Sequence, residues 1–78
     1  MSTPLSEALE MLSKACKFVV DGERFVSRQK AYVDKLENKG LDTSNAEEYL
    51  EILEDMQGKY IDHLYRLEQQ VLYLVKPE

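Results

Sequence analysis

Few side chains in this sequence could do chemistry. His63 is the sole histidine and Cys16 the sole cysteine. A metal site on a helix wants a second ligand at helical spacing, as in Glu-x-x-His. Tyr60 and Lys59 hold those places, and Asp62 diverges from His63 by about 100° around a helix. No metal is expected. Cys16 reads as a small apolar position rather than an activated thiolate, and alone it forms no internal disulfide. The chain has no glycine-rich phosphate loop, nucleophile elbow or paired-carboxylate motif. Neither catalysis nor a cofactor is expected.

One polar group remains, made of Glu23, Arg24, Arg28 and Gln29. In a folded-back chain it lies across from Gln57, Tyr60 and His63. A Glu23–His63 contact there would be a tunable proton site. The plainer expectation is a structural polar layer, with Gln29 fixing register from within an apolar seam. The alternative is an inter-helix site near Glu23, Arg28 and His63 that binds, or acts on, a small molecule.

The elements that must position these residues are long helices. Thr3 can cap a first helix and Pro4 fits its first position, where no N–H partner is needed. Leu5, Leu12, Val19, Val26 and Val33 recur every seven residues. Ala8, Ala15, Gly22, Gln29 and Leu36 complete an a/d seam of the coiled-coil kind. Met11, Phe18, Phe25 and Tyr32 form an extra stripe beside it. Lys39-Gly40 stops the helix: Gly40 suits the left-handed position, and Leu41 can fold back on Leu36. The next start is either a Ser44–Glu47 capping box or Asp42 with a Leu41–Ala46 staple.

A second helix follows, with a seam of Ala46, Leu50, Leu53, Tyr60, Leu64, Leu67, Val71 and Leu74, Met56 filling one turn. Lys76-Pro77 ends it. The expected fold is all-α: one domain over residues 1–78, an antiparallel helical hairpin with helices at about 4–39 and 44–75. Gly22 and Gly58 come to nearly the same height. They form either a hinge or pocket or, more simply, a place where Tyr60 or Phe25 packs closely against Gly22.

Charge agrees with this pairing. Residues 5–39 carry seven basic and six acidic groups, and residues 42–78 three basic and nine acidic. Folding back brings Lys30, Lys35 and Lys39 near the acidic start of the second helix. Apolar residues concentrate at the end away from the turn, ten of sixteen in both 5–20 and 60–75. Two helices hide one stripe each, so Met11, Phe18 and Phe25 on one helix and Ile61, Tyr65 and Leu72 on the other stay in water. The expectation is association through this end, most simply a two-fold homodimer forming a four-helix bundle. Another protein is a further possible partner.

Composition bounds the rest. The chain has 78 residues and a net charge of -5. Acidity argues against nucleic acid, where clustered Lys and Arg neutralise phosphates, and against anionic membranes. No apolar run reaches the roughly 18 residues of a membrane span. The N-terminus lacks a basic start and an apolar run, so no secretory signal is expected and a reducing cytoplasm is the default.

Residues 22–46 carry a pattern, G-E-R-F-V-S-R-Q then L-E-N-K-G-L-D-T-S-N-A. It resembles short, uncharacterised alphaproteobacterial (rhizobial-type) helical-hairpin proteins. The matching positions are Gly22, Glu23, Arg24, Arg28, Gln29, Leu36, Glu37, Gly40, Asp42, Thr43, Ala46 and Glu47, with Arg66-Leu67 later. The resemblance covers about two thirds of the chain. It implies the hairpin and a bacterial cytoplasmic setting, and brings no activity with it. Phe18 and Phe25 stand where many such relatives would carry histidine, so no histidine-based site transfers.

Overall fold

The computed structural model describes residues 3–75. It contains α1, Pro4–Asn38, and α2, Ser44–Val75, packed side by side as a rod of 61 × 19 × 15 Å. The all-helical hairpin read from the heptads is the observed fold. The expected stop at Lys76-Pro77 lies outside the described residues.

Local chemistry sets each helix end. At the start of α1 the Thr3 hydroxyl accepts from the Ser6 N–H at 3.0 Å, and the Ser6 hydroxyl accepts from the Thr3 N–H at 3.0 Å. This capping box satisfies two N–H groups that have no partner inside the helix. At the other end Gly40 has φ +70°. The Gly40 N–H reaches the Glu37 carbonyl and the Leu41 N–H the Leu36 carbonyl, both at 2.9 Å. These are the two bonds of a Schellman ending, which needs the left-handed conformation that glycine adopts without Cβ strain.

The start of α2 resolves the two capping alternatives. Asp42 Oδ1 accepts from the Ser44 N–H at 3.0 Å and from the Ser44 hydroxyl at 2.7 Å. Ser44 therefore donates to Asp42 and does not cap Glu47. The Glu47 N–H instead donates to the Thr43 carbonyl at 2.8 Å. The two bonds from Ser44, its hydroxyl first and its N–H second, hold the Asp42 carboxyl below its ordinary range.

Heptads fix the contact. Leu5, Ala8, Leu12, Ala15, Val19, Gly22, Val26, Gln29, Val33 and Leu36 are all buried or half-buried, and so are their counterparts on α2. One expected member fails. Met56 is exposed, and Gln57 takes that turn of the seam. Spacing explains it: Leu53, Gln57 and Tyr60 keep the 4–3 alternation that Met56 would break. The core is thin, its most buried members being Ala8 at 1%, Ala15 at 3% and Leu67 at 4% exposure.

Candidate interaction surface

Two glutamines tie the helices together across the seam. Gln29 of α1 donates its amide N–H to the Ala46 carbonyl of α2 at 2.9 Å. Gln57 of α2 donates back to the Val19 carbonyl of α1 at 2.8 Å. The register role expected of Gln29 thus has a geometric form, shared with a residue that spacing alone had placed only nearby. The Gln57 Oε1 is buried without a hydrogen-bond partner. It lies against Gly22, where a Cβ would overlap it and stand 2.9 Å from the amide carbon. Gly22 therefore makes room for Gln57, not for Tyr60 or Phe25. Gly58 faces open space, so the two glycines do not form a joint hinge or pocket.

The rest of the expected polar layer does not converge. Glu23, Arg24, Arg28 and His63 are exposed, and only Gln29 sits between the helices. Glu23 falls next to the seam on one flank and His63 on the opposite flank, because their heptad positions differ. The expected pairing of Lys30, Lys35 and Lys39 with α2 is also unrealised: no ion pair within 4 Å joins them to it. Lys59 and Asp55, one turn apart on α2, form an exposed pair at 3.5 Å. Among the described residues no group of three His, Cys, Asp or Glu side chains is placed to hold a metal.

Large apolar side chains remain outside. Phe18 is 56% exposed, Phe25 53%, Tyr65 63% and Leu72 59%; Met11 and Ile61 are about half exposed. Antiparallel register sorts them onto two flanks of the rod. Met11, Phe18, Phe25 and Tyr32 share a flank with Tyr49 and Met56. Leu9, Cys16 and Val20 share the other with Ile61, Tyr65 and Leu72. The six residues expected to form one interface thus divide between two. Sequence reasoning missed Tyr49 and Met56; placing the two heptads antiparallel in register is what brings them beside Phe18 and Phe25.

The first flank holds a groove of about 370 Å³ lined by Phe18, Gly22, Phe25, Tyr49, Leu53, Met56 and Tyr60, with Asp21 at its edge. The one small residue in its lining is Gly22, on the α1 seam. Phe18 stacks on Tyr60 with ring centroids 5.6 Å apart. Asp21 is the sole charged group in this lining, and aromatic and Met walls of this kind suit protein side chains.

The flanks also differ in charge. The groove flank is edged by Lys14, Arg28, Lys35, Lys59 and Arg66 against Glu7 and Asp21. The opposite flank is edged by Glu23, Asp34, Glu37, Glu47, Glu51, Glu54 and Glu68 against Lys30.

No described helix is long and apolar enough to cross a membrane. Compared with protein-family models, curated proteins and solved structures, the chain matches none.

Proposed function

We propose that this chain is a non-enzymatic protein–protein interaction or scaffold module that works as a homodimer, two hairpins packing as a four-helix bundle. Surplus surface carries the reading. The hairpin exposes 6405 Å². A compact monomer of 9.1 kDa would expose about 4,900 Å². The excess, about 1,500 Å², is more than the roughly 800 Å² each partner hides in an ordinary interface. The aromatic groove flank is the natural dimer face, because its apolar stripe runs along both helices.

Charge supports one arrangement of the two copies. With the turns at the same end, each α1 lies against α2 of the second copy. Lys17 and Arg24 then come level with the second copy's Asp62 and Asp55, and Asp21 with its Lys59, against one like-charged level, Lys14 with Arg66. With the turns at opposite ends, α1 meets α1 and Asp21 faces itself. Like charges so placed oppose association. The bacterial cytoplasmic setting belongs to the same proposal; an exposed, unpaired Cys16 is compatible with a reducing compartment.

Sedimentation at micromolar concentration tests this, with a species of twice 9.1 kDa expected. Phe25→Asp, on the groove flank, should weaken self-association at least about thirtyfold while circular dichroism stays helical. Leu72→Asp, on the other flank, should leave the dimer intact. A stable 9 kDa wild-type species with wet aromatics overturns the proposal.

A further inference from the structure

We propose that the acidic flank binds an amphipathic helix of another protein, apolar over its first turns and rich in Lys and Arg over the next. The inference rests on the interaction-module reading and names the chemistry of the partner. Two parallel ridges of side chains leave a furrow, the usual seat for a third helix. In the open half of this flank Leu9, Val20, Ile61, Tyr65 and Leu72 are each 47–63% exposed. From Leu9 to Val20 the patch runs about 17 Å, or three helical turns.

Beyond it, towards the turn, the same furrow is edged, Lys30 apart, by Glu23, Asp34, Glu37, Glu47, Glu51 and Glu54. All are exposed, and none has a cation within 4 Å in the hairpin. A ligand helix that buried its apolar end on the patch would lay its continuation along this row. Lys and Arg there gain attraction, while Asp and Glu are repelled. Surface area agrees. Of the excess of about 1,500 Å², a dimer contact of roughly 800 Å² per partner leaves about 700 Å², enough for one docked helix. A second copy's groove flank is the rival occupant, since it is also apolar with basic edges. The dimer contact already occupies that flank, so a foreign helix is favoured.

The test uses the full chain, isotope-labelled, and two synthetic helices of about 22 residues, roughly six turns each. Both carry a leucine stripe over the first half; the second half is rich in Lys and Arg in one and in Glu in the other. The basic peptide should bind, with amide shifts centred on Leu9, Val20, Ile61 and Leu72. Its affinity should fall about tenfold between roughly 0.05 and 0.5 M salt. Glu23→Lys with Glu54→Lys, both exposed and so harmless to the fold, should cost a further factor of about ten.

Equal binding of the acidic peptide, shifts on the Phe18–Tyr49 flank, or no binding at high peptide concentration overturns the proposal. So does growth beyond the dimer in the absence of peptide, if Glu23→Lys abolishes it, because the flank then takes a second copy. Sedimentation of the same samples keeps the readings separate. A dimer that ignores both peptides sinks only this inference, and a monomer that binds the basic one sinks only the dimer.

Discussion

Around Gly40 the chain turns on directed bonds: the Schellman pair from Gly40 and Leu41, the Asp42–Ser44 turn, and the Gln29 amide on the Ala46 carbonyl. Among the described residues, the far end of the rod has no such device between its helices. There Ala8, Ala15 and Leu67 are buried, while Leu9, Met11, Phe18, Ile61, Tyr65 and Leu72 stand half in water. A few short-range bonds specify one end, and non-directional apolar area holds the other. The contrast shows where self-sufficiency stops. The closed end is tied by bonds within one chain, whereas the open end leaves large apolar side chains half in water.

Truncating the open end should have the largest effect. Leu67→Ala removes its most buried large side chain and should cost about 2–4 kcal/mol. In thermal melts the midpoints of wild type and variant should both rise with protein concentration, if a second copy shares the burden. Midpoints independent of concentration would mean that the open end stands alone.

The two mid-rod glycines come next. Gly58→Ala enters open space and should stabilise by up to about 1 kcal/mol through helix propensity. Gly22→Ala collects the same gain but pushes the Gln57 amide off the Val19 carbonyl, at a cost of about 1–3 kcal/mol. It should therefore be neutral to destabilising. With Gln57→Ala already present, Gly22→Ala should turn stabilising. Equal effects at both glycines in urea melts would remove Gln57 from the register account.

The smallest effect lies at the turn. Asp42 should titrate below 3.8 by carbon-detected NMR, and Ser44→Ala should bring it back towards that value. A carboxyl lowered by folding contributes above its unfolded pKa and loses that contribution as pH falls through the folded one. Fraying at the start of α2 should thus begin below about pH 4, while the open end is unaffected.

The sequence made much of this legible. Heptad spacing placed ten α1 seam residues, and Thr3, Pro4 and Gly40 marked their boundaries, because each of those signals is local. The Met56–Gln57 exchange was missed because a thioether looks more like core than an amide does. Spacing alone puts Gln57 in the seam; only tertiary packing shows that it reaches the Val19 carbonyl and needs Gly22 beneath it. The six apolar residues expected at an interface are exposed, yet their division between flanks depends on which side of each seam faces which. The polar layer failed for the same reason. Matching height along the rod brought Glu23 and His63 level, but they lie on opposite sides of it.

The crossed glutamines have a mechanical consequence. Sliding α2 along α1 by one heptad, about 10 Å, would break both amide bonds at once and carry Gln57 from Gly22 onto Ala15 or Gln29, where a side chain fills the space it needs. Neither helix can creep without losing two bonds that run in opposite senses, so tension along the axis is resisted in both directions. A strut of this kind keeps whatever grips its two sides at a fixed separation and in a fixed phase around the axis.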